Sequence, residues 1–275
     1  GFKVNVLDQF VYDNQFTVTS YVGDSNYKLF KGDLGNQNIL DDCSKGVDQV
    51  FLLGGLVGDP ITKNYPKESG FINEKQILKC IDYFDNKNIK KLVFISTCSN
   101  YGLIKEDELA DEKFKLNPLS LYAKAKVNAE KYLLSKKGKT NYSGVVLRFA
   151  TAFGLSPRMR FDLTISEFTR DLFFGEELVV FDEHTWRPYC HVKDFSLALE
   201  KIIEVEQKLT SFEVFNVGGE QNNFTKKQIT ELILKHIPNH KNVSFTNKKF
   251  DPRNYRVNFS KIEKKLNFKI KYSVE

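Results

Sequence analysis

The chain has 275 residues, 41% hydrophobic and 28% charged, with a formal net charge of +6. That length can bury a proper core, as one compact body or as a large domain with a smaller lobe, and the composition excludes a disordered or fibrous chain. No apolar run is long enough to span a membrane, no signal-peptide succession opens the chain, and Cys43, Cys80, Cys98 and Cys190 lack metal-ligand spacing. The lysines are spread along the chain rather than gathered. A cytoplasmic location is therefore expected, with free thiols, no metal, no membrane and no nucleic-acid partner.

Residues 3–8, Lys-Val-Asn-Val-Leu-Asp, alternate like a strand and end in the acid Asp8. Phe30-Lys-Gly-Asp33-Leu34 closes a second strand, and residues 48–55, Asp-Gln-Val-Phe-Leu-Leu-Gly-Gly, read as a buried strand running into Leu53, Gly54 and Gly55. Residues 71–84 carry a helical stripe at Ile77, Leu78, Ile81 and Phe84, with Asn73 near the helix start. Lys-Leu-Val-Phe-Ile at 91–95 is a continuous apolar run, the pattern of a parallel strand covered on both faces. It ends in Ser96-Thr97-Cys98-Ser99-Asn100-Tyr101-Gly102, and ligands sit at the carboxyl ends of strands in open parallel sheets. Thr97 is therefore a site candidate.

Ser120 is a good N-cap for a helix with apolar positions at Leu121, Ala125, Ala129, Tyr132 and Leu133. Tyr122 and Lys126 emerge from it one turn apart, beside the stripe. An ammonium held that close favours phenolate over phenol, so beside a nicotinamide cation a tyrosine of reference pKa ~10 would serve as a base at neutral pH. An isolated Tyr-x-x-x-Lys is more often an exposed pair on an amphipathic helix; the hydroxyl-rich strand end upstream shifts the balance. Further on, Val145-Val-Leu-Arg-Phe149 is another buried strand. The loop Ser156-Pro-Arg158-Met-Arg160-Phe-Asp162-Leu163 precedes a helix over 164–173 and suits a phosphate contact, or equally a solvated basic loop. Residues 178–181 form a short strand, and Thr225-Lys-Lys-Gln228 is a capping box for a helix with stripe Ile229, Leu232, Ile233 and Ile237.

Several of these segments, in this order, resemble the extended short-chain dehydrogenase/reductase superfamily, in its NAD-dependent epimerase/dehydratase group that modifies nucleotide sugars. Ser96 to Gly102 is similar to that group's Ser-Ser/Thr-x-x-x-Tyr-Gly and Tyr122 to Lys126 to its Tyr-x-x-x-Lys, which implies the catalytic set Thr97, Tyr122 and Lys126. The fold implied is α/β, a Rossmann-type doubly wound parallel sheet with a smaller C-terminal substrate-binding lobe. Residues 1–155 with about 187–217 would bind NAD, and 156–186 with 218–275 the nucleotide sugar.

The resemblance makes Asp8 the acid that meets the adenosine ribose and disfavours NADP, although a strand-ending turn aspartate reads the same way. It places Asp33 and Leu34 beside the adenine, and Leu53, Gly54, Gly55, Asn73 and Phe149 around the cofactor with Tyr122 and Lys126. On the substrate side it points to Thr151, Arg158, Arg160, Asp162, Arg187 and Arg253, with Lys248 as an alternative to Arg253. His191, within Arg187-Pro-Tyr-Cys-His-Val-Lys-Asp194, is read as structural. Gly1 stands where the family has already completed its first strand, glycine-rich turn and helix, so the sequence is expected to be a piece of a longer protein that binds the dinucleotide poorly as it stands.

Dehydratases of the group carry an Asp-Glu pair directly after the catalytic threonine; here Cys98 and Ser99 stand there, which disfavours dehydration. The implied activity is NAD-dependent epimerisation at C4 by tyrosine-assisted hydride transfer. The alternatives are a 4-dehydrogenase or 4-reductase, for which the Ser-Pro-Arg-Met-Arg segment resembles polysaccharide-precursor enzymes of the GDP-heptose type, or a non-catalytic nucleotide-binding member. By analogy with the family, a homodimer is expected.

Overall fold

Apolar strand runs alternate with amphipathic helical stretches along this sequence, and the chain follows that alternation. The structure, a computed structural model, describes residues 1–237, 242–247 and 253–275, with the backbone alone at 59 and 60. The first half runs β1 (Val4–Asp8), β2 (Tyr27–Lys31), α1 (Gln37–Cys43), β3 (Gln49–Leu52), α2 (Asp59–Asn64) and α3 (Pro66–Gly70). A π-helical turn (Phe71–Gln76) then leads into α4 (Ile77–Phe84), followed by β4 (Lys91–Thr97), a 3-10 turn (Cys98–Tyr101) and α5 (Leu121–Ser135). Next come β5 (Ser143–Phe149), β6 (Thr151–Phe153), α6 (Thr164–Phe173), β7 (Leu178–Phe181), β8 (Trp186–His191), α7 (Val192–Glu204) and α8 (Gln207–Thr210). The remainder is β9 (Glu213–Val217), β10 (Asn223–Thr225), α9 (Lys226–His236), β11 (Val243–Thr246) and α10 (Ser260–Leu266).

The main sheet is parallel, in the order β3-β4-β5-β9. Alternation along its central strands sends Leu92, Phe94 and Val146 to a core shared with Ile77 and Ile81 of α4 and Ala129 and Leu133 of α5. Val93, Ile95, Val145 and Leu147 face the other way, toward Phe195, Ala198 and Ile202 of α7 and Ile262 and Leu266 of α10. Helices on both faces are why β4 and β5 carry no polar alternation. Burying each such Leu, Ile or Phe contributes about 1.5–3 kcal/mol. β1 and β2 form their own parallel pair, and no strand ladder among the described residues joins them to the main sheet. A third core, with Phe153, Phe168, Leu172, Leu178, Val180, Tyr189, Ile229 and Ile233, gathers β6 to β8, α6 and α9.

The expected helices and caps form where local chemistry specifies them. The Ser120 hydroxyl accepts the Ala123 amide at 3.1 Å, and Thr225 and Gln228 close a reciprocal capping box. Two details depart from the sequence pattern. The 71–84 helix opens as a π-turn, which turns Asn73 and Gln76 inward to 2% and 4% exposure. Leu121, assigned to the buried stripe of α5, is the first residue of that helix and is 52% exposed, while the polar Lys126 and Glu130 are buried on it instead.

Gly102 redirects the chain out of the β4 turn with φ +70, and a Cβ there would lie 2.0 Å from the Asn117 carbonyl oxygen. The Gly102→Ala variant should therefore lose about 1–3 kcal/mol for the backbone conformation alone. A lower denaturant midpoint at unchanged m-value is the expected readout.

Candidate active site

Because the main sheet is parallel, its strands deliver their carboxyl ends to one edge. Thr97 pairs in register with Phe149, and Phe149 with Val217, so those three strand ends are level. Leu52 pairs with Phe94, which carries Leu53, Gly54 and Gly55 out at the height of Ile95 to Thr97. Thr97 caps the short turn that follows: its hydroxyl accepts the Ser99 amide at 3.1 Å and lies 2.9 Å from the Ser99 hydroxyl.

α5 brings Tyr122 and Lys126 to that edge. Lys126 is 3% exposed, and its amine donates to the Ile95 carbonyl at 2.8 Å and lies 4.7 Å from the Phe94 ring centroid and 5.8 Å from that of Tyr122. Burial, opposed by the Glu130 carboxylate one turn further on, lowers its pKa to about 8. The unfolded lysine holds its proton to about 10.5 and the folded one only to about 8, so between those values the unfolded chain binds more protons and stability rises with pH. Wild-type protein should thus gain stability relative to Lys126→Met from pH 8 to 10.5. Denaturant unfolding of both proteins at pH 7.5, 9 and 10 measures that gap.

The candidate cofactor residues surround the same edge. Gly55 adopts φ +147, and a Cβ on it would fall 2.7 Å from Asn73 Oδ1; a Cβ on Gly54 would meet a Leu34 methyl at 3.6 Å. Asn73 holds this turn with two hydrogen bonds, accepting the Leu56 amide at 2.8 Å and donating to its carbonyl at 2.9 Å. Gln76, on the same π-turn, donates to Asp33 at 2.7 Å, and Asp33 also accepts the Gly35 amide at 2.6 Å. Asp8, at the end of β1, accepts the Phe10 amide at 2.7 Å, and Phe149 stacks on Phe195 with centroids 4.0 Å apart. An exposed Gly54, a half-exposed Leu53 and an exposed acid at a strand end fit a dinucleotide: close backbone approach, an apolar platform and an acceptor for ribose hydroxyls.

Of the substrate candidates, Arg158, Arg160 and Asp162 lie on the loop over this edge. The Arg158 guanidinium stacks 4.2 Å from the Tyr12 ring centroid. Arg160 pairs with Asp162 at 2.6 Å and donates to the Val57 carbonyl at 3.3 Å. That pairing, with Tyr12 and Tyr122 nearby, strengthens the Arg160 guanidinium's hold on its proton. Thr151 lies on β6 opposite Tyr189. Arg187 and Arg253 are brought to each other: Arg187 is 6% exposed and donates to the Arg253 carbonyl at 2.6 Å and the Trp186 carbonyl at 2.7 Å. Lys248 falls outside the described residues. His191 caps α7 through the Lys193 amide at 3.1 Å and stacks on Tyr272, and burial lowers its pKa, as suits a structural histidine.

Three residues escaped the sequence reading: Tyr12, Gln76 and Glu130. Glu130 had a legible signal, since 122, 126 and 130 share the four-residue spacing of one helix face. For Tyr12 and Gln76 no local pattern exists.

A doubly wound parallel sheet with threonine, tyrosine and lysine at its carboxyl edge defines the class, the extended short-chain dehydrogenase/reductases. The chain belongs to the NAD dependent epimerase/dehydratase family, whose model matches residues 1–218, and NAD is that family's cofactor. It is similar to the dTDP-glucose 4,6-dehydratase of Streptomyces niveus, 25% identical over 241 residues that cover 86% of this chain and 68% of that protein. It is also similar to the UDP-glucuronate 4-epimerase of Thermodesulfobacterium geofontis, 25% identical over 255 residues covering 91% and 76% of the two chains. Its fold matches that of the UDP-glucuronic acid 4-epimerase from Bacillus cereus, solved in complex with UDP-glucuronic acid and NAD, at a TM-score of 0.87 and 20% identity over 98% of this chain and 87% of that one.

Proposed function

We propose that the protein is an NAD-dependent nucleotide-sugar oxidoreductase acting at C4 of the sugar, and specifically a 4-epimerase. The reading is carried by one observation: the Lys126 amine lies 5.8 Å from the Tyr122 ring centroid, on a helix packed against the strand that ends in Thr97. Tyr122 takes the proton of the 4-hydroxyl as the C4 hydrogen departs, and Thr97 holds the same hydroxyl in line. Lys126 favours the phenolate by charge and would hydrogen-bond the nicotinamide ribose. Bound NAD supplies the acceptor and donor of hydride. Asp8, Asp33, Leu34, Leu53, Gly54, Gly55, Asn73 and Phe149 would hold it within residues 1–155 and about 187–217. Thr151, Arg158, Arg160, Asp162, Arg187 and Arg253 would hold the nucleotide sugar, with 156–186 and 218–275 as the sugar lobe.

Cys98 and Ser99 favour epimerisation over dehydration. The Cys98 thiol is buried, its pKa pushed well up by that burial, and it points to the Arg148 carbonyl at 3.2 Å, while the Ser99 hydroxyl faces Thr97. Neither group can exchange protons at neutral pH as a carboxylate does. Incubation of the full-length protein and NAD with UDP-, dTDP- and GDP-sugars deuterated at C4 tests the proposal. A C4 epimer that keeps its deuterium is the expected product. Deuterium delivered to the cofactor would identify a 4-dehydrogenase, the alternative favoured by the Ser-Pro-Arg-Met-Arg loop, and no turnover of any sugar would reject both.

A further inference from the structure

Beneath Thr97 and Lys126 lies a buried carboxylate that the proposed chemistry does not use. Glu130 is 1% exposed and sits one turn beyond Lys126 on α5. It accepts hydrogen bonds from Arg148 Nε at 3.1 and 3.2 Å, from Arg148 Nη2 at 2.7 Å, from Asn100 Nδ2 at 2.7 Å and from the Ser96 hydroxyl. Asn100 also donates to Ser96 at 3.0 Å, and Arg148 reaches the Tyr101 hydroxyl at 3.1 Å. Ser96 immediately precedes Thr97, and Asn100 belongs to the turn that Thr97 caps. One carboxylate therefore joins the helix that carries Tyr122 and Lys126 to the strand end that carries Thr97.

We propose that Glu130 is a positioning residue, whose carboxylate locks the Thr97 strand end against the Tyr122 and Lys126 face of α5. The inference rests on the functional reading above. Stability alone is a poor reason for this arrangement, because a buried ion pair is often no better than well-packed apolar residues of similar size. Placement at the base of the site explains it: Thr97 and Lys126 sit on separate elements, and a displacement of about 1 Å between reacting groups can cost on the order of 10²-fold in rate. The fixed negative charge has a second effect. Among the described residues, the titratable groups around Lys126 are Tyr122 and Glu130 on its own helix and, behind Glu130, Arg148, Tyr101 and Cys98; Glu74 lies on the outer face, bound by Asn128 at 3.1 Å. Glu130 thus opposes the effect of burial, which lowers the Lys126 pKa.

Two variants of the full-length protein test this. In Glu130→Gln, side-chain nitrogen NMR of lysine-labelled protein, with the Lys126 signal assigned through Lys126→Met, should show the amine losing its proton at a lower pH than in wild type, by roughly half a unit or more. The paired variant Glu130→Leu with Arg148→Met should keep a Tm within a few degrees of wild type. Its kcat should nevertheless fall about 10–100-fold while KM changes less than about threefold. A Lys126 titration unmoved in Glu130→Gln, or full activity in the paired variant, overturns the inference. Absence of any turnover in wild-type protein overturns the functional reading alone, and the titration still decides whether Glu130 sets the charge on Lys126.

Discussion

Replacing Tyr122 with phenylalanine should lower turnover by about 10²–10⁴-fold, the range expected when a positioned general base is removed. Only the hydroxyl is lost. The ring still fills its place on α5, its contact with the Lys126 amine survives, and the residues proposed to hold NAD lie on other elements apart from Lys126 and Tyr122 itself. Retained NAD affinity, measured by fluorescence or calorimetry on the full-length variant, is therefore part of the expected result. Near-normal turnover would exclude the tyrosine mechanism whatever the substrate proves to be.

The largest effect on stability should come from Arg148→Met. The guanidinium and the Glu130 carboxylate are each almost fully enclosed, with side-chain exposures of 5% and 2%, and Arg148 supplies several of the hydrogen bonds that Glu130 receives. Removing one partner leaves a buried charge uncompensated, which costs about 3–5 kcal/mol. For a chain of this size that corresponds to a fall in Tm on the order of 10 °C. Calorimetry of Arg148→Met beside the paired apolar variant separates the cost of a stranded charge from the worth of the pair. If Arg148→Met is as stable as wild type, the ion pair does not carry the role assigned to it.

The two variants probe different links. Tyr122 is half-buried near the start of α5, and its replacement by phenylalanine probes the proposed chemistry. Arg148 and Glu130 lie under the edge, where contacts set stability and geometry together.

Much of the fold was legible in the sequence because its signals are local. The runs at 91–95 and 145–149 are apolar on both faces because helices cover both faces, and the Ser120 and Thr225 caps satisfy amides only a few residues away. Residues 122 and 126 share a helix face by periodicity alone, and a turn of glycines at 54 and 55 marks where the backbone must stay bare. The sequence by itself therefore determined the strands and helices of the core and put a phenol, an amine and a threonine within reach of one sheet edge.

Only the tertiary structure decided how those groups are held. The Lys126 amine meets the Ile95 carbonyl, Glu130 meets Arg148, Gln76 meets Asp33, and Arg187 meets the backbone of Arg253. Leu121 looked buried by period and is exposed, while Glu130, which the sequence reading passed over, is enclosed. The reason is physical. Periodicity records which way a side chain leaves its own element, but burial, desolvation and the choice of hydrogen-bond partner depend on what a distant segment places opposite it, and no spacing along the chain encodes that.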